Sequence, residues 1–237
     1  MSRLDALGAA LRASTLAWLT VTLIAFVIAE TVSRRLRRHP LAHPVVLTCV
    51  LVGVVVRATS TPFPVYFEAV KALHFLLGPA TVALAFPLWR HRAHVRRALR
   101  PLALALVAGS LTAIGSAVGV AWLLGAPREV LASLAPRSAT TPVAMELSRT
   151  LGGLPDLTVS LVLVTGALGA MVLAPLGRWL GLDPPAQGLA AGVAAHGFGT
   201  SRALQIHPLA GTYSGIGMGL NAALTALLLL VAAHLAR

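Results

Sequence analysis

Charged side chains are scarce in this 237-residue chain, at 11% of the total, and acidic ones are fewest, with 7 Asp and Glu against 19 Lys and Arg. With 57% hydrophobic residues and a mean hydropathy of +0.83, that scarcity excludes the soluble globular class. A single cysteine, Cys49, lies in an apolar run and excludes both disulfides within the chain and cysteine-based metal sites. Aromatic residues are only 5% and are not interleaved with the arginines, so the net charge of +12 does not point to nucleic acid. Enzyme signatures are missing as well: the chain carries no H-E-x-x-H, no G-x-S-x-G and no P-loop. The HGFG run at 196–199 is only superficially like a lipase oxyanion motif, since no nucleophile elbow accompanies it. No catalytic residue, metal or cofactor is therefore expected, and the chain reads as a non-enzyme.

What the chain has instead is long apolar stretches, enough for roughly seven or eight spans of about 20 residues with short connections. Arginines 34, 35, 37 and 38 and arginines 90, 92, 96, 97 and 100 directly follow such stretches, as in cytoplasmic loops of membrane proteins. The positive-inside rule then puts the N-terminus outside and residue 90 inside. The C-terminus lies outside if every later stretch crosses fully, and flips if one re-enters. The first stretch, from near Leu11, lacks a clean cleavage site and reads as an uncleaved span.

Along the chain, 16–32 is a first span with Glu30 near its end, and 44–56 is a short second one. The stretch 64–90 reads as a discontinuous helix broken at Gly78-Pro79, or as one kinked span. Within it Glu68 and Lys71 share a helix face and can neutralise each other. Residues 102–124 form a span in which Gly109, Gly115 and Gly119 fit the small-xxx-small pattern of close helix packing. Residues 157–176 follow with Gly166 and Gly169, and 212–235 span again around Asn221, expected to bond across helices. The segment PATVALAFPL at 79–88, with Thr81, echoes SATTPVAMEL at 138–147; paired broken helices in inverted repeats are a transporter design.

Two stretches organise the chain. PRSATTPVAMELSRTL at 136–151 sets Ser138, Thr140 and Thr141 before Pro142, predicting a helix start with Thr141 as N-cap. Polar, broken backbone at membrane depth is costly unless it lines a cavity, although these hydroxyls can also satisfy only their own backbone. AAHGFGTSRAL at 194–204 repeats the idea with Gly197, Gly199, Thr200 and Ser201 between His196 and Arg202. Helix starts, small hydroxyls and a cation together make an anion cradle. Arg202 then grips a carboxylate, or else snorkels to an interface. Glu146 faces a cavity as a coupling group, or pairs with Arg149 three residues on. His196 titrates or donates to a substrate, or is held within a bundle. Thr81 and Asn221 complete the polar candidates.

These residues resemble a family. PRSATTPVAMELSRTLGGLPDLT closely resembles the signature of the LrgB/CidB family, AAHGFGTSRAL looks like its second signature, and GPATVALAFPLWRHR like its early segment. The three occur in family order, and the resemblance is weakest over residues 1–60. Arg137 stands where the family commonly has lysine. The resemblance implies one transmembrane domain over 1–237 and a multi-pass protein of the bacterial inner membrane. It implies a transporter of small carboxylates (glycolate, glycerate, pyruvate or lactate type) or a holin- or antiholin-like regulator of murein hydrolase activity and lysis. It also implies a small LrgA/CidA-type membrane partner. Proton or sodium coupling and homo-oligomerisation are further expectations. The fold expected is all-α and polytopic, with two or three discontinuous or re-entrant segments.

Overall fold

The computed structural model describes residues 14–39, 42–76, 79, 89 and 92–235, and among these every regular element is a helix. Thr81, Gly78 and nearly all of the 79–88 echo lie outside the described residues. The chain divides into two compact units, Met1–Ala85 and Phe86–Arg237.

In the first unit, α1 (Thr15–Arg35) starts at Ser14, whose hydroxyl accepts from the Ala17 N–H at 3.2 Å. It is followed by α2 (Pro44–Ala58), α3 (Phe63–Ala69) and α4 (Lys71–Phe75). Trp18, fully buried, meets Tyr66 edge-on at 5.2 Å between ring centroids and holds α3 against α1. The third stretch is broken at Val70, and the expected break at Gly78-Pro79 falls at Gly78, outside the described residues. Lys71 and Glu68 do pair, at 3.1 Å, on an exposed face. At the end of α1 the Glu30 carboxylate accepts from Arg34 at 2.7 Å and from Arg38 at 3.1 Å.

The second unit contains α5 (Arg92–Arg97), α6 (Leu99–Leu123), α7 (Arg128–Leu134), α8 (Thr141–Thr150), α9 (Pro155–Trp179), α10 (Pro184–Ile206) and α11 (Pro208–Leu235). Helices α1, α6, α9 and α11 are long and apolar enough to cross a membrane; at about 1.5 Å per residue, 25 residues outreach a hydrocarbon core of about 30 Å. Their outward faces carry Leu104, Leu111, Leu168 and Leu227, all exposed, which is stable against lipid and costly against water. The chain is a membrane protein.

Between these long helices, two short-helix pairs double back. Thr158 of α9 donates to Ser133 O (3.1 Å) and to Ser148 Oγ (2.7 Å), so one point on α9 meets both α7 and α8. The two helices thus run antiparallel about a turn at 135–140. A second turn, at Gly152 (φ 77°) and Gly153, closes the other end, and a Cβ at Gly153 would lie 2.6 Å from Ser148 Oγ.

Helix α10 is two helices. Its backbone is non-helical at His196 (φ 39°, ψ −125°). Before that point Gly188 packs on Ala210 and Gly192 on Ser214, so this half runs parallel to α11. After it, Thr200 meets Ser214 and Leu204 meets Gly211, so the second half runs back. Gly188 and Gly192 are needed because a Cβ at either would strike α11 backbone.

Of the two small-residue series, that on α9 is packed: a Cβ at Gly166 would lie 2.6 Å from His196 Cε1, and one at Gly169 2.6 Å from Ala195 Cβ. On α6 only Gly109 faces a neighbour, Val193 at 3.1 Å, while a Cβ at Gly115 or Gly119 would meet nothing within 4 Å. The expected close packing at 115–119 is thus not made among the described residues.

Candidate functional site

Asn221 lies fully buried near the middle of α11. Its Oδ1 accepts from Ser110 Oγ on α6 at 2.6 Å. Its Nδ2 donates to Ser138 O at 2.9 Å and to Val193 O at 3.3 Å. One amide therefore joins α6, α11, the α7–α8 turn and the first half of α10. In an apolar interior a carbonyl left unpaired costs about 1–3 kcal/mol, so this joint is strongly specified.

The second connection passes through Val162 of α9. Its side chain packs with Ala139, Ala144 and Ala222, and its carbonyl accepts from His196 Nε2 at 3.2 Å. That bond requires the proton on Nε2. The His196 ring also stands edge-on to Phe198, with centroids 6.0 Å apart. The two helix breaks, read separately from the sequence, thus meet the same pair of residues, Val162 and Asn221.

The candidate residues divide on this geometry. Ser138 is 2% exposed, and its Oγ has no hydrogen-bond partner. Thr225, one turn beyond Asn221 on α11, is fully buried with its Oγ1 likewise unpartnered. The N-cap of α8 is Thr140, with Thr141 the first helical residue, one position earlier than expected; no side chain caps the helix. Its first-turn N–H groups are left for other acceptors, and Pro142 has none to offer.

On α10, Thr200 Oγ1 is already engaged, donating to His196 O (2.9 Å) and bonded to Ser214 Oγ at 2.9 Å. Gly199 is buried where a Cβ would collide with the Ala191 carbonyl, so it serves the fold-back itself. Gly197 is exposed and Ser201 half-buried. Arg202 donates to Gln205 Oε1 at 3.1 Å, along the returning half and away from the turn. The Glu146 side chain is 68% exposed and pairs with Arg149 at 2.8 Å. The pairing three residues along the helix, weighed against the cavity-facing reading, is the one formed. Thr81 lies outside the described residues.

Sequence reasoning left Ser110 and Thr225 unmentioned and noted Arg137 only as standing where the family commonly has lysine, not as a site residue. The Arg137 guanidinium donates to Thr165 Oγ1 and to Ala113 O, each at 3.4 Å. The signal was present: it is a charged residue beside a helix break in an apolar chain. Among the described residues no group of three or more His, Cys, Asp or Glu side chains is placed to hold a metal ion.

Known proteins are similar to this chain in sequence. The LrgB-like family matches residues 22–235. The uncharacterized protein YwbG of Bacillus subtilis is 33% identical over 87% of this chain and 92% of its own length. The holin-like protein CidB of Staphylococcus epidermidis is 27% identical over 77% of this chain and 80% of its own. That of Staphylococcus aureus is 29% identical over 69% and 72%. No solved structure matches.

Proposed function

The chain belongs to the LrgB-like family, and on that premise we propose that its second unit binds and carries a small organic anion across the bacterial inner membrane. The observation that carries this reading is the meeting of both helix breaks at Asn221 and Val162. Broken helices whose ends meet at mid-depth present backbone N–H groups to an anion where continuous helices present none. The turns at 138–140 and 196 read as the tips of re-entrant hairpins, which adds two partial crossings to the long helices. No covalent chemistry is part of this reading, and the chain is not an enzyme in it. Small carboxylates of the glycolate or pyruvate type are the substrates proposed, with a proton or sodium ion as coupling ion.

A second reading is a holin-like regulator of murein hydrolase activity and lysis. The names of the staphylococcal relatives support it more directly than they support transport. The unpacked Gly115–Gly119 face of α6 is compatible with it, as a surface for a second copy or for a small LrgA/CidA-type partner.

Uptake of labelled glycolate and pyruvate into proteoliposomes, with and without a pH gradient, tests the first reading. Saturable uptake supports it. Failure of uptake, with dye release from the same vesicles once a small partner is added, supports the second.

A further inference from the structure

We propose that Arg137, with Ser138 Oγ and the N-terminus of α8, binds the charged end of a small organic monoanion at the centre of the second unit. This rests on the anion-handling reading above and assigns the charge partner to Arg137, not Arg202.

Depth is the first argument. Thr165 lies ten residues from the start of α9 and Ala113 ten from the end of α6, so the guanidinium is about 15 Å from either helix end. That is the middle of a hydrocarbon core of about 30 Å. A cation there is expensive, and an intramembrane cation marks an ion or substrate path unless it is paired.

Pairing is the second. The acidic side chains in ion pairs among the described residues are Glu30, Glu68 and Glu146, each with an arginine or lysine of its own segment. Arg137 has instead two neutral acceptors at the long limit of hydrogen bonding. Its charge is left to be balanced by something that comes and goes.

The third argument is the company it keeps. The next residue, Ser138, holds a buried hydroxyl with no partner. Three residues later begins a ten-residue helix with no side-chain cap and proline in its first turn. A guanidinium, a hydroxyl and the positive end of a helix are the donors a carboxylate takes. One guanidinium balances one negative charge, and the cluster that Ala139, two residues on, forms with Val143 and Val162 is apolar. The class that fits is a small monocarboxylate, not a dianion or a phosphate. Arg202, by contrast, is hydrogen-bonded to Gln205 on its own helix.

The test is binding to the full-length protein in nanodiscs, followed by thermal shift with glycolate, pyruvate and lactate, and with glycolamide as the neutral analogue. Wild type should bind the acids and not the amide. R137M should weaken acid binding at least tenfold while melting no lower than wild type without ligand, because an unbalanced charge has been removed. R137K should keep most of the affinity, S138A should lose several-fold, and R202M should stay within twofold of wild type. Should R137M not fold, S138A decides: unchanged affinity in that variant overturns the site. Wild-type affinity in folded R137M, or loss in R202M alone, also overturns it while leaving the anion reading intact. No acid-dependent shift in the wild type removes that reading and this site together.

Discussion

Asn221 Nδ2 donates to Ser138 O at 2.9 Å across a sequence separation of 83 residues, tying the middle of the last helix to the turn between two short ones. The same amide holds Ser110 and Val193, so three elements lose their partner if it is removed.

Asn221→Leu should therefore destabilise by roughly 2–4 kcal/mol, since it strands buried polar groups on three neighbours. Thermal melting of the purified protein measures it. Combining it with Ser110→Ala should cost less than the sum of the two, because Ser110 loses its acceptor in either case.

Gly166→Val should cost about 1–3 kcal/mol by overpacking against the His196 and Phe198 rings, the former pinned by its bond to Val162. Gly115→Ala is the control. Nothing lies within 4 Å of that Cβ, and its melting temperature should match wild type.

His196 has φ 39° and ψ −125°, a backbone region that glycine occupies without strain. His196→Gly should consequently melt above His196→Ala, by about 1 kcal/mol in stability, although both lose the donor to Val162 O. Equal melting of the two variants would show that the fold-back carries no backbone strain.

Glu146→Gln removes an exposed ion pair with Arg149 and should change stability by no more than about 0.5 kcal/mol. Carboxylate uptake, where the wild type shows it, should persist with the same dependence on a pH gradient. Loss of that dependence would restore Glu146 as a coupling group.

Much of this molecule was legible in one dimension. The long apolar runs that become α1, α6, α9 and α11, and the breaks near Pro142 and His196, follow from local rules. Length against bilayer thickness, the missing N–H of proline and the cost of unpaired backbone all act within a few residues. What could not be read is which way each polar side chain turns. Glu146 turns to Arg149 on an exposed face, Thr200 is spent on Ser214, and Arg137 reaches α6 and α9 from the neighbouring turn. In a soluble helix an apolar stripe would indicate the inward face. Here lipid accepts apolar side chains on every outward face, so the apolar residues of α6 and α11 do not by themselves distinguish inside from outside, and it is polar residues such as Ser110, Ser214, Asn221 and Thr225 that are buried. The inward face is set by hydrogen bonds between residues such as Asn221 and Ser138, and such partners are chosen by packing across the fold and not by spacing along the chain.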